Sequence, residues 1–75
     1  MNREANLVVS RTVTYQIQEQ TSPLVLFQDV PKAMSRLDTG IRLLNAMRKL
    51  FVEKYGTKTY RRYRLVKRVE KVLDL

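Results

Sequence analysis

RTVTYQIQ, at residues 11–18, alternates polar with apolar side chains and is the most regular pattern in the chain. Val13, Tyr15 and Ile17 fall on one side of an extended backbone, because successive side chains of a strand point to opposite faces. This period of two predicts a half-buried β-strand over residues 6–18.

The opposite side of this predicted strand carries a row of side chains that can form hydrogen bonds. In ribbon-helix-helix proteins a two-stranded ribbon enters the major groove and reads base edges with such residues. The order of a strand followed by helices is similar here, although two prolines and the apolar run at 24–27 depart from that layout. We favour the other interpretation, the polar outer side of an antiparallel sheet. The row consists of Thr12, Thr14, Gln16 and Gln18.

A second extended segment is predicted at residues 24–28, because a short apolar run lies between Pro23 and Pro31. The alternative is a short helix opened by Ser22, since proline is favoured at the first helical position. With the strand interpretation, the N-terminal part forms a β-hairpin.

A long helix is predicted over residues 30–55, where apolar residues recur at steps of three and four. Asp29 is suited to cap its start, and Gly56 to end it with a left-handed backbone. The turn-favouring residues at 38–40 leave open two helices instead of one. We expect one helix that bends at this point.

The last segment, residues 59–73, predicts an amphipathic helix. At 100° per residue its apolar residues lie within about 120° of arc and most of its cations lie opposite. We expect it to pack on the preceding helix as an αα-hairpin. A helix-turn-helix motif is disfavoured because Arg62 lies where that motif expects an apolar residue, and the stem of Arg62 can cover apolar surface instead. The apolar residues are Leu65, Val66, Val69, Val72 and Leu73.

Size and composition restrict the function further. The chain has 75 residues, a net charge of +8, and neither Cys nor His. We therefore predict one α+β domain over residues 1–75, without disulfides, a Cys/His metal site, a cofactor or a nucleophilic dyad. A core of this size supplies only about 3 to 5 kcal/mol, so we expect a dimer or a larger assembly. No signal peptide or membrane span is recognisable, which predicts a soluble protein in the reducing cytoplasm.

The charge is concentrated in the second half of the chain. Residues 32–75 carry 13 Lys+Arg against four acidic residues, a net charge of +9, whereas residues 1–31 have a net charge of −1. The excess at 58–71 is opposed only by Glu70, and such uncompensated repulsion favours an anionic partner over a merely solvated face. The candidate nucleic-acid-binding residues are Lys58, Tyr60, Arg61, Tyr63, Arg64, Lys67, Arg68 and Lys71.

These observations predict a small non-enzymatic nucleic-acid-binding protein, for DNA rather than RNA, with a role in transcription regulation. Its basic C-terminal helix would lie along the phosphate backbone while the two tyrosines add stacking. The alternative is a protein-interaction module, such as an inhibitor, adaptor or assembly subunit, that docks on an acidic protein surface. Binding to an anionic membrane surface ranks last, because the apolar arc lacks Trp and Phe. Dispersed carboxylates and the lack of a phosphate-binding glycine loop argue against an enzyme.

Overall fold

The computed structural model describes residues 8–73, which form a three-stranded antiparallel sheet and one helix. In chain order the elements are β1 (Val8–Gln20), β2 (Gln28–Asp29), α1 (Leu37–Tyr55) and β3 (Arg62–Leu73). The strand order across the sheet is β2-β1-β3. The α+β class fits broadly, and β1 confirms the predicted strand but continues two residues beyond Gln18. Residues 6 and 7, included in that prediction, lie outside the described part of the chain.

The C-terminal helix predicted over residues 59–73 is wrong, because this segment is β3. It pairs with β1 along nearly its whole length, from Gln20 opposite Arg62 to Val8 opposite Leu73. Its valines and tyrosine favour an extended backbone. The hydrogen bonds of the segment to the long strand β1 outweigh the helical preference that the spacing of its apolar residues suggested. With β3 extended, neither the αα-hairpin nor the helix-turn-helix motif exists.

The predicted long helix starts seven residues too early. Residues 30–34 run beside β1 instead: the Val30 N–H donates to the Ile17 carbonyl at 2.8 Å, and Tyr15 and Met34 exchange two backbone bonds of 2.7 and 2.8 Å. Because these groups serve the sheet, α1 begins only at Leu37. Asp29, the predicted cap, belongs to β2.

Residues 38–40 form the first turn of α1, so the alternative of two helices is also wrong. The helix ends as expected at Gly56, which has a φ of 75° and donates its N–H to the Val52 carbonyl at 2.8 Å. A positive φ of this kind is readily adopted only by glycine. The helix therefore ends at the residue that the sequence predicted.

The helix interpretation of residues 24–28 is wrong, and the strand interpretation is confirmed only at the end of that segment, where a short strand pairs antiparallel with β1. Only Gln28–Asp29 pairs with β1, while Leu24 and Leu26 are 95% and 86% exposed in a loop. Ser22 closes a turn there, because its carbonyl and its Oγ each accept a backbone N–H at 3.2 Å.

The core lies where the start of α1 crosses the sheet. Ile17 is 1% exposed, and Leu44 is the other buried apolar side chain among the described residues. Gly40 allows the close approach of helix and sheet: a Cβ there would lie 3.1 and 3.2 Å from the two methyls of Leu65. This core is small even for a domain of this length.

The two long strands extend beyond the helix. The radius of gyration is 16.7 Å, against about 11 Å for a compact domain of this length. Residues 10–14 of β1 and 67–73 of β3 form this extension, which we call the arm. Its side chains are exposed apart from half-buried Val13 and Thr14.

Candidate nucleic-acid interface

The pairing of β1 with β3 sorts the predicted binding residues onto two faces of the sheet. Odd-numbered residues, such as Lys67 and Lys71, share the face on which α1 packs, the helix face. Even-numbered residues, such as Arg64 and Arg68, lie on the opposite face, the open face. Lys58 is exposed in the loop before β3. The continuous basic surface that a helix would have presented therefore does not form.

Two of the predicted cations are neutralised by carboxylates. Arg68 contacts Asp29 at 2.9 Å across the open face, and Arg61 contacts Glu19 at 3.1 Å. Hydrogen bonds from Arg68 and Gln18 hold the pKa of the Asp29 carboxyl below its usual value, and Asp29 in turn raises the pKa of Arg68. These residues hold the sheet together and are less available to an anionic ligand.

Four arginines converge instead at the start of β3, around a cleft of about 460 Å³. We call it the arginine cleft. It lies between the second half of α1 and the loop that follows β1. Its lining comes from three separate parts of the chain: Phe27 in that loop, Arg48, Phe51 and Val52 on α1, and Arg61 to Arg64 at the start of β3.

The α1 side of the cleft is built on Phe51. Its ring meets Tyr63 edge-on, with centroids 6.4 Å apart, and the Arg61 guanidinium lies 5.1 Å from its centroid. One turn earlier, Arg48 donates to the Tyr63 carbonyl at 2.9 Å. These contacts fix the α1 side chains against the outer edge of β3.

The open-face side is built on Arg64. Its guanidinium lies 4.0 Å from the Phe27 ring centroid, and its Nε donates to Gln18 at 2.8 Å. Arg62 is exposed, and its guanidinium lies 5.7 Å from the Tyr60 ring. Tyr60 itself donates its hydroxyl to Gln20.

The charge around the cleft is strongly positive. Within residues 8–73, Glu19 is the single carboxylate that pairs with any of its four arginines. Arg48, Arg62 and Arg64 make their described contacts with neutral groups or rings. The Nε of Arg61 is buried and has no hydrogen-bond partner among the described atoms. The cleft can therefore accept an anion without first breaking more than one ion pair.

Half of the predicted site residues line or border this cleft, while other members of the cleft were missed. Tyr60, Arg61, Tyr63 and Arg64 come together as a group. Arg48, Phe27 and Phe51 were not predicted, and Arg62 was interpreted as a covering side chain. Arg48 and Phe51 are three residues apart in the sequence, which predicts that they lie on the same face of a helix. Only the location of β3 shows which residues that face contacts.

The polar row of β1 also has a structural role. Gln16 is 6% exposed, and its Nε2 donates to the Val30 carbonyl. Gln18 donates to Asp29 at 2.9 Å and accepts from Arg64. This part of the row supports the loop and the cleft and is not free to read base edges.

Comparison with protein-family models, curated proteins and solved structures found no significant match to the chain. Within the described residues, no helix is long and apolar enough to cross a membrane. Nor do residues 8–73 contain a group of three or more acidic, His or Cys side chains placed to hold a metal ion.

Proposed function

We propose that the protein binds nucleic acid at the arginine cleft, without catalysing a reaction, and that its preferred ligand is a single strand with exposed bases. The observation that carries this proposal is the convergence of four arginines and three aromatic rings on one cleft where a single carboxylate is paired. This location replaces the C-terminal helix as the binding element.

The arginines provide the affinity for phosphate. A guanidinium presents several N–H donors in a plane and can bind phosphate oxygens through two of them. Arg62 is the most accessible, while Arg48 and Arg64 retain donors beyond those used within the protein. Each phosphate neutralised also releases condensed counterions, so binding weakens with salt.

The rings provide a place for bases. Phe27, Phe51 and Tyr63 are half-buried and line the cleft. Bases stack on such rings with little dependence on sequence, and each stacked base contributes about 1 to 3 kcal/mol. Paired bases in a duplex are not accessible in this way, which favours a single strand.

Single strands of DNA and of RNA both offer phosphates and bases. The preference for DNA and the regulatory role remain predictions that the structure leaves untested. An intracellular location is part of the proposal, because a nucleic-acid ligand and a chain without Cys both suit a reducing compartment.

The proposal is tested by fluorescence anisotropy with labelled single-stranded DNA, single-stranded RNA and duplex DNA of equal length. We expect the single strands to bind more tightly than the duplex. With three or four phosphates contacted, log K should fall against log salt with a slope of about −2 to −3. Equal binding of all ligands with no dependence on salt contradicts the proposal.

Arg62→Ala is the most direct variant, and Arg42→Ala is its matched control. Both arginines are exposed and both variants lose one positive charge, but Arg42 lies on α1 outside the cleft. We expect Arg62→Ala to weaken binding about fivefold or more and to reduce the salt slope by about 0.7. If Arg42→Ala has the same effect, binding depends on total charge and not on the cleft.

The second candidate, docking on an acidic protein surface, rests on the same arginines, because carboxylates also pair with guanidinium groups. Polyglutamate added as a competitor separates the two. It offers charge but no rings to stack, so we expect it to displace the oligonucleotide only in large excess. Displacement at equal charge concentration favours the acidic protein surface.

A further inference from the structure

The outer edge of β3 is the most extensive uncovered backbone in the described structure. Among the described strands its neighbour is β1, so the opposite side of β3 is a sheet edge. The edge is 12 residues long and contains no proline or glycine. At the start of this edge, Arg48 donates a hydrogen bond to the Tyr63 carbonyl. Proteins seldom leave so long and regular an edge without a partner.

The sequence along this edge is almost palindromic. From Leu65 to Leu73 it reads LVKRVEKVL, with Val69 at the centre. The one departure is that Arg68 before the centre corresponds to Glu70 after it, which exchanges a positive for a negative charge. Two copies of a strand paired antiparallel about a twofold axis bring residues equidistant from the centre opposite each other. The departure from symmetry thus becomes a pairing of opposite charges.

We propose that a second copy of this chain pairs with β3 antiparallel, with the twofold axis at Val69. The result is a six-stranded sheet in the order β2-β1-β3-β3-β1-β2. In this register each apolar residue of the palindrome lies opposite a residue of the same type in the second copy. The pairs are Leu65 with Leu73, Val66 with Val72, Lys67 with Lys71, Arg68 with Glu70, and Val69 with Val69.

The arm supplies the physical reason for this pairing. It is a two-stranded ribbon without a helix over it, and such a ribbon is marginally stable by itself in water. Val69, Val72 and Leu73 are 43%, 50% and 38% exposed. Pairing gives these residues cross-strand neighbours and satisfies the free backbone groups of the edge.

Charge favours this register over its neighbours. Arg68 and Glu70 both lie on the open face, so they meet on the same side of the joined sheet. Within residues 8–73 no hydrogen bond or ion pair engages the Glu70 carboxylate, and Arg68 has enough donors to keep Asp29 and bind a second carboxylate. Centring the axis on Lys67 instead would put Lys67 opposite itself and Val66 opposite Arg68.

Lys67 opposite Lys71 is the unfavourable part of the register. Like charges in directly opposed positions repel, and both lie on the helix face, away from the Arg68–Glu70 contacts. The lysine pairs thus oppose the attraction of the Arg68–Glu70 pairs. Backbone hydrogen bonds and the valine and leucine contacts therefore determine the strength of the pairing.

Single cysteines test the register, because the natural chain contains none. In Val69→Cys the two thiols lie directly opposite, with Cα atoms about 4.5 to 5.5 Å apart, which suits a disulfide. Val25→Cys is the matched control, since Val25 has the same exposure of 43% but lies in a loop. In Val72→Cys the two thiols are about 20 Å apart in this register.

We expect Val69→Cys to form a covalent dimer under mild oxidation while Val25→Cys and Val72→Cys remain monomers on a denaturing gel. If Val72→Cys or Val25→Cys cross-links as readily as Val69→Cys, the proposed register is wrong.

Charge variants test the pairing without a covalent bond. Glu70→Arg places Arg68 opposite an arginine twice across the axis, whereas Glu53→Arg makes the same charge change on the exposed surface of α1. In sedimentation velocity, we expect Glu70→Arg to raise the dimer Kd about tenfold or more, and Glu53→Arg to leave it near that of the natural chain.

A mixture of two charge variants gives a test in which the proposal predicts a gain of pairing. Arg68→Glu alone also juxtaposes like charges, but mixed with Glu70→Arg it restores opposite charges at both positions. Random mixing of equal amounts already gives twice as much heterodimer as either homodimer, so native mass spectrometry should show the heterodimer in well over twofold excess. Random mixing of the two chains, or a monomeric natural chain at every concentration tested, overturns the proposal.

The pairing does not depend on nucleic acid. The protein is treated with nuclease and washed in high salt to remove nucleic acid, and the measurements are then made at moderate ionic strength, where exposed charges still interact. A dimer found there stands even if the arginine cleft binds no oligonucleotide. Conversely, Arg62→Ala should lose oligonucleotide affinity and keep the dimer, because residue 62 lies outside the palindrome.

Discussion

The two halves of the β1–β3 pair differ in what covers them. Residues 15–20 of β1 and 62–66 of β3, which we call the base, carry α1, the loop after β1 and the arginine cleft. The arm continues the same two strands with the same hydrogen-bonded ladder but without a covering element. In the base, β1 is also hydrogen-bonded on its other side to β2 and to residues 30–34. The base therefore has more backbone hydrogen bonds as well as more buried side chains than the arm, and we expect it to be the more stable half.

The comparison also separates two kinds of surface that are suited to binding a partner. In the base, the unsatisfied feature is charge, because three cleft arginines lack a carboxylate within the described residues. In the arm, it is backbone and apolar surface along an open edge. The first suits an anionic ligand and the second suits another strand, which is why we assign them different partners.

Removing the centre of the base should have the largest effect. Ile17→Ala deletes three buried carbons from a side chain that is 1% exposed, and such a cavity costs about 2 to 5 kcal/mol. Since a core this small supplies about 3 to 5 kcal/mol in total, we expect the variant to be largely unfolded by circular dichroism. Leu24→Ala, at 95% exposure, is the control and should leave the urea midpoint unchanged.

The close approach of α1 to the sheet is tested by Gly40→Leu. Even a Cβ at this position meets the methyls of Leu65 at 3.1 and 3.2 Å, so a larger side chain must push the helix away from the base. We expect a loss of about 1 to 3 kcal/mol in urea unfolding. An unchanged midpoint would mean that α1 does not pack tightly on the sheet.

The arm is tested by hydrogen exchange in the natural chain and in Glu70→Arg. If the second copy stabilises the arm, amides at 67–73 should exchange about tenfold faster in the variant, in step with the weaker dimer. Amides of Ile17 and its neighbours in the base should keep their protection. Equal acceleration in both halves would indicate that base and arm unfold as one unit.

The smallest effect concerns the contact between Asp29 of β2 and Arg68 of the arm. The pKa of Asp29 is lowered from its ordinary value of 3.8. Its stabilising contribution is therefore complete above that pH and is lost as the pH falls through the lower folded-state value. Asp29→Asn should show a flatter loss of stability below about pH 4 than the natural chain does. The pair is solvent-exposed, so both chains should be nearly alike at pH 7.

Some of the cleft was visible in the sequence and some was not. Arg61, Tyr63 and Arg64 were identified because charge and aromatic residues are concentrated in consecutive positions. Phe27 and Arg48 are distant from them in sequence and carry no local mark of function. They join the cleft only because β3 extends between the loop and the helix, which no local pattern predicts.

The sequence by itself determined β1, the end of the helix at Gly56 and the excess of positive charge, because each depends on residues close together in the chain. It wrongly predicted a helix for the C-terminal segment, since the apolar residues there lie within one helical arc and do not alternate regularly. Tertiary structure decided for a strand, because β3 satisfies the backbone groups along the edge of the long strand at 8–20, which a helix would have left open. That choice divided the cations between two faces and gathered the arginines at the edge of the sheet.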